Sequence, residues 1–293
     1  MLRQQENHLP AVAHRAGMPT LAGVGKGVMG TPRQPVLTFQ VGSALDPGIQ
    51  RKQEPNEDTI SITRGVIPST PAKPFALFLV ADGMGGQGHG QEASRLAREA
   101  LVEYITHALC SEQVDPQAYL PLLRAGVQSA NHIVYQRNRE RSTVMGTTMT
   151  VCLVVDATAY VAHVGDSRCY LYRDPDGLSQ ITLDHSIVAA LVGAGVIKPE
   201  DIYTHPSRNL IYRYVGEKAS VEVDTFEIPL VAGDILLLCS DGLWEMVRDP
   251  QIAALLASRV PDPTQTVHTL VQAALAHGGA DNVSAIVVRV DKR

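Results

Sequence analysis

Two apolar, strand-like runs in this chain each stop on an Asp-Gly pair. Residues 75–81 read Phe-Ala-Leu-Phe-Leu-Val-Ala and end at Asp82-Gly83-Met84-Gly85-Gly86; residues 235–239 read Ile-Leu-Leu-Leu-Cys and end, after Ser240, at Asp241-Gly242-Leu243-Trp244. A buried strand that delivers a carboxylate at its end, with a glycine that lets backbone approach closely, is suited to a hard cation. Two such elements in one chain point to a shared metal site. Chemistry on a metal-binding group such as phosphate follows.

Composition narrows the class. The chain has 293 residues, 45% hydrophobic and 19% charged, the balance of a soluble globular protein. Its formal net charge of -5, with no basic stripe, argues against a nucleic-acid partner. Cys110, Cys152, Cys169 and Cys239 form no CxxC pair. They read as reduced thiols of a cytoplasmic protein, without the ligand spacing of a zinc site. No apolar stretch reaches the roughly 18 residues that span a membrane. The N-terminus lacks the apolar core of a signal peptide.

Residues 1–35, rich in Gly and Pro and slightly basic, read as a flexible N-terminal tail. From residue 36 to 293 the pattern is that of one domain. Strands are expected over 36–43, 59–63, 75–81, 147–155, 159–164, 168–173, 178–182, 221–228, 235–239 and 283–290. Helices are expected over 91–109, 117–138, 252–257 and 266–277, where apolar residues keep helical spacing. Short turns between most strands favour antiparallel sheets in an α+β layout.

Six acids stand at strand ends or in glycine-containing turns: Glu57, Asp58, Asp82, Asp166, Asp241 and Asp281. An all-oxygen donor set suits Mg²⁺ or Mn²⁺. Their contexts are Asn56-Glu57-Asp58, Asp82-Gly83-Met84-Gly85-Gly86, Gly165-Asp166-Ser167-Arg168, Ser240-Asp241-Gly242 and Asp281-Asn282-Val283-Ser284, with Met145-Gly146-Thr147-Thr148 and Leu183-Asp184-His185-Ser186 between the second and fourth of these. In this order they resemble the metal-dependent Ser/Thr protein phosphatases of the 2C type, also called the PPM family, in its bacterial form. The resemblance covers roughly residues 36–290.

The resemblance implies a four-layer α-β-β-α sandwich with two packed antiparallel sheets and metals at one edge. It implies that Asp58, Asp82, the Gly83 carbonyl, Asp241 and Asp281 hold two Mn²⁺ or Mg²⁺ ions, with Glu57 acting through water. A third, weaker ion is implied at Asp166 with Asp241 shared. The activity implied is hydrolysis of phosphoserine and phosphothreonine in phosphoproteins by a water between the two ions, opposing a Ser/Thr kinase. A monomer is expected. The rival is a non-catalytic phosphoprotein-binding module on the same fold.

The chain departs from the family pattern in two places. Gln53 stands where a phosphate-binding arginine is common, so Arg51 is the candidate, with Lys52 its rival. Met84 and Gln87 stand where members carry a histidine. His89 is the candidate general acid, against the alternatives of a surface histidine or a proton from metal-bound water. His185 reads as structural or at the substrate edge. Residues 192–203 match a variable flap, and 145–148 read as close backbone packing.

Overall fold

Along the strand from Lys73 to Met84 side chains alternate between two apolar layers. Phe75, Leu77, Leu79 and Ala81 join one core, and Ala76, Phe78 and Val80 join another. A strand buried on both faces needs cover on both, and the rest of the chain supplies it. The structure, a computed structural model, describes residues 37–85, 88–111, 114–141, 144–258 and 262–292. The tail expected over 1–35, and Gln87, lie outside the described residues.

In chain order the strands and helices are β1 (Leu37–Asp46), β2 (Asp58–Ile67), β3 (Lys73–Met84), α1 (His89–Ser111), α2 (Tyr119–Arg141), β4 (Gly146–Thr147), β5 (Met149–Val155), β6 (Thr158–Val164), β7 (Arg168–Arg173), β8 (Gly177–Gln180), α3 (Ile187–Gly193), β9 (Asp224–Pro229), β10 (Ile235–Cys239), α4 (Asp241–Trp244), α5 (Asp249–Ala257), α6 (Pro263–Ala276) and β11 (Val283–Lys292). Strands β2-β3-β5-β6-β9 form one sheet, with β4 paired to the end of β3; β1-β11-β10-β7-β8 form the other. Every strand pairing is antiparallel.

Three apolar layers separate four structural ones. Helices α1 and α2 cover the first sheet through Ala93, Ala97, Leu101, Ile105, Leu123 and Val127. The two sheets meet through Phe78, Val80, Cys152, Leu236, Leu238, Ile286 and Val288. Helices α5 and α6 cover the second sheet through Ile252, Leu256, Val267 and Leu270. This is the expected four-layer sandwich.

Boundaries differ where tertiary pairing overrides local pattern. The strand expected over 147–155 is two, β4 and β5, separated at Thr148. Its backbone N–H leaves the β5 ladder to donate to the Asp82 carbonyl at 2.8 Å. Strands β1 and β2 run on to Asp46 and Ile67 because β11 and β3 extend beside them.

Candidate metal centre and active site

Antiparallel pairing gathers the acids at one end of the sandwich. β2 begins where β3 ends, so Asp58 faces Asp82 across the ladder. In the other sheet the end of β10 lies between the starts of β7 and β11, with Cys239 opposite Arg168 and Ala285. Asp241 therefore emerges next to Asp166 and Asp281, which precede β7 and β11. A cleft of about 440 Å³ opens there, and its walls include Asp82, Gly83, Asp166, Asp241, Asp281, Glu57 and Arg51. Asp58 is buried and lies off this wall, lining a neighbouring hollow with Asn56 and Thr59.

Two glycines let these elements approach. A Cβ on Gly83 would sit 2.1 Å from the Gly90 carbonyl oxygen and 2.6 Å from that of Glu57. The glycine is thus needed for the close passage of α1, whereas any residue offers a carbonyl. A Cβ on Gly242 would sit 2.0 Å from the Asn282 carbonyl oxygen. That position serves the crossing of α4 over the entry to β11 rather than merely a turn.

Backbone anchors fix the acids. The Thr147 hydroxyl donates to the Asp82 carbonyl at 2.9 Å, and the Asp82 N–H donates to the Thr148 hydroxyl at 2.9 Å. This is the close packing expected of 145–148. The Ser240 hydroxyl donates to Asp58 Oδ2 at 2.7 Å. Asn282 takes the Glu57 N–H on Oδ1 at 2.8 Å and donates from Nδ2 to the Pro47 carbonyl at 2.9 Å. Glu57 Oε1 accepts the Gly90 N–H at 3.1 Å.

What Asp58, Asp82, Asp166 and Asp241 lack is compensation. Asp58 Oδ1 and Asp241 Oδ1 are buried and have no hydrogen-bond partner. Burial pushes Asp58 up to about 7, with repulsion from Asp241 and Asp281 adding to it. Burial, with Asp281 beside it, pushes Asp241 up to about 6. Asp82 and Asp166 are raised by burial and by neighbouring carboxylates, Asp58 and Asp241 foremost. Orphaned, mutually repelling carboxylate oxygens fit divalent cations, whose charge reverses this cost. Among the described residues no group of three or more acid, thiol or imidazole side chains is placed to hold a metal ion by itself. Hard octahedral ions that keep waters and use one or two carboxylates each do not require one.

Arg51 stands on the cleft wall. It donates from Nη2 to Glu57 at 2.7 Å, from Nη1 to Asp281 at 2.5 Å and from Nε to Glu54 at 3.1 Å. Lys52 is exposed and outside the wall. His89 opens α1, half-buried beside Gly85; Gly88 lines the cleft and His89 does not. The structure thus brings together the acids and Arg51 but leaves His89 behind the rim.

Sequence reasoning missed several participants. Glu245 lies one helical turn beyond Asp241 and is pushed up to about 7 by burial and by the Asp241 charge. The i, i+4 spacing was its signal. Asn209 and Ile211, from the segment between α3 and β9, line the wall, as does Thr148.

Comparison with known proteins agrees with this geometry. A family model described as Protein phosphatase 2C matches residues 48–277. The chain is 34% identical over 220 residues to the serine/threonine phosphatase stp of Listeria monocytogenes serovar 1/2a, spanning 73% of this chain and 84% of that protein. It is 37% identical to the serine/threonine protein phosphatase PstP of Mycobacterium tuberculosis over 73% of this chain, and spans 40% of PstP. The crystal structure of the PstP catalytic domain in complex with two manganese ions matches with a TM-score of 0.70 at 33% identity, covering 87% of this chain and all of that one.

Proposed function

This chain belongs to the protein phosphatase 2C family and is a protein-serine/threonine phosphatase, and from that premise we propose which of its residues do the work. Asp58, Asp82, Asp241, Asp281 and the Gly83 carbonyl would hold two Mn²⁺ ions, with Glu57 acting through water. Asp166 and Asp241 hold a third. When bound, the ions lower the pKa of a water and offset phosphoryl charge. The observation that carries this reading is the pair of buried carboxylate oxygens without partners behind an open cleft.

Arg51 is the chain's own cationic group on that wall. Its planar fork, held towards the cleft by Glu57 and Asp281, would grip phosphoryl oxygens bidentately. His89 gives the leaving oxygen its proton through an intervening water, because it stands off the wall. Phosphorylated proteins are the substrates. We further infer that a Ser/Thr kinase supplies them and that Mg²⁺ substitutes for Mn²⁺. We place the chain in the cytoplasm as a monomer. Support comes from the unpaired thiols and from a cleft completed within one chain. No helix among the described residues is long and apolar enough to cross a membrane.

The test is turnover of a phosphothreonine peptide and of p-nitrophenyl phosphate with and without Mn²⁺. Asp82→Asn and Arg51→Ala are expected to lose turnover of both. His89→Ala is expected to lose on the order of 10² on the peptide alone, since nitrophenolate leaves without a proton. Metal-independent turnover would reject the reading.

A further inference from the structure

The hollow beside the cleft, about 660 Å³ in volume, has no role in the catalytic reading beyond Asp58. Gly88 belongs to the walls of both, so hollow and cleft are continuous at the start of α1. Leu45, from the end of β1, and Ile60, from β2, give the hollow an apolar floor. One side is the face of α1 that carries Gln91, Arg95 and Arg98. Their spacing of four and then three residues sets all three on one stripe of the helix. Ser94 fastens the helix to β2. Its hydroxyl donates to the Glu57 carbonyl at 2.6 Å and lies 2.9 Å from the Thr59 hydroxyl.

The charge of this side is not balanced. Arg95 Nη1 lies 2.9 Å from Glu99, and Arg98 Nη2 lies 3.0 Å from the same carboxylate. One acid thus serves two guanidinium groups. Arg98 Nε is buried and has no hydrogen-bond partner among the described residues, and a buried donor left unmet is costly. Glu92, the acid of α1 in the hollow, is already engaged from α2 by Arg141 at 2.6 Å and Arg137 at 3.4 Å. Asp58, the other acid there, belongs to the proposed metal set. A spare cationic charge therefore stands beside an apolar floor. Each helical residue adds about 1.5 Å, so Arg95 and Arg98 lie roughly 10 and 15 Å along α1 from Gly88. An extended chain advances about 3.3 Å per residue, so a segment leaving the cleft over Gly88 passes them about three to five residues on.

We propose that this hollow is a subsite for the phosphoprotein, in which Arg95 and Arg98 select a segment with an anionic side chain a few residues from the phosphoresidue. That anion is a carboxylate or a second phosphate, either of which a guanidinium fork grips. The proposal rests on the cleft being catalytic, as read above. Both arginine side chains are partly exposed, so the preference they confer is modest.

The experiment measures kcat/KM of the full chain with Mn²⁺ on phosphothreonine peptides that differ at one place. Glu stands about three to six residues before or after the phosphothreonine, against Gln at the same place. A further arm carries a non-hydrolysable phosphonate there. Wild type is expected to favour the anionic peptide by about three- to tenfold at one or more placements, through KM, and to lose the preference at high salt. The double variant Arg95→Gln, Arg98→Gln is expected to bring that ratio to about one, and Arg95→Glu to turn the preference towards a Lys peptide. Each ratio compares two peptides on one protein, so a partly folded variant still reports it. The arm with the larger ratio identifies the anion. Equal rates on anionic and neutral peptides at every placement in wild type overturn the subsite, as does a preference unmoved in the double variant. A wild type that fails to turn over p-nitrophenyl phosphate rejects the catalytic reading and the subsite with it.

Discussion

Arg168 and Asp58 are buried alike, 2% and 4% exposed, yet their surroundings differ. Asp184 takes two edges of the Arg168 fork, the Tyr170 hydroxyl accepts from Nη1 at 2.7 Å, and the Trp244 ring covers its face. Asp58 receives one hydroxyl on one oxygen and nothing on the other, with Asp82 opposite it in the ladder. An uncompensated buried charge costs several kcal/mol. The arginine cluster is neutralised by the chain itself, whereas the chain leaves oxygens of Asp58 and Asp241 without a partner. Incomplete compensation, rather than burial or density of charge, marks where the chemistry happens.

The sharpest way to break this contrast is one substitution in each cluster. Asp241→Asn is expected to cut Mn²⁺-dependent phosphopeptide turnover by on the order of 10³, the several kcal/mol that metal charge stabilisation supplies. It is expected to leave the metal-free protein as stable as wild type, since it removes a repelled charge. Asp184→Ala strands the Arg168 charge and is expected to cost about 3–5 kcal/mol in urea unfolding, with or without metal. Equal losses of metal-free stability in the two variants would dissolve the distinction.

A smaller effect follows from adding the missing charge. At a hundred times its dissociation constant Mn²⁺ is expected to stabilise wild type by about 2.7 kcal/mol. Asp58→Asn is expected to lose most of that gain, measured as the shift of the thermal midpoint on adding Mn²⁺.

Protons are the alternative neutraliser. In EDTA the Asp58 carboxyl, lifted to about 7 by burial, binds a proton more tightly folded than unfolded. That contribution is complete below about pH 4 and lost as pH rises towards 7. Asn stands in for the protonated carboxyl, so the thermal midpoints of wild type and Asp58→Asn are expected to lie closest near pH 4 and to separate as pH rises towards 7, with Asp58→Asn the higher. His163, held down near 3 by burial with His185 next to it, has the opposite sign. Its contribution is present above about 6.5 and lost as pH falls. Both proteins carry His163, so the comparison cancels it.

These clusters were not equally legible in sequence. Asp82 and Asp241 announced themselves because each ends an unbroken apolar run, and Arg168–Arg173 and Ile235–Cys239 have the expected ends. Asn282 and Ser240 did not, because their roles depend on contacts from β2 and β11 that no local pattern encodes. The steric need for Gly83 was hidden for the same reason: the colliding atoms belong to Glu57 and Gly90. His89 stood two residues past the position where a histidine was expected, and the helix start that carries it sets it off the wall.

The least effect is expected where charge is neither buried nor missing. Arg95 and Glu99 pair on α1 at 2.9 Å, a separation close to the 2.7 Å of Arg168 and Asp184. Their side chains are about half exposed, 49% and 46%, so water already screens both charges. Arg95→Ala is expected to change stability by about 0.5 kcal/mol or less and to leave Mn²⁺ stabilisation intact. A loss near that of Asp184→Ala would mean that ion-pair distance governs these clusters. A negligible one leaves solvent access as the variable that separates them.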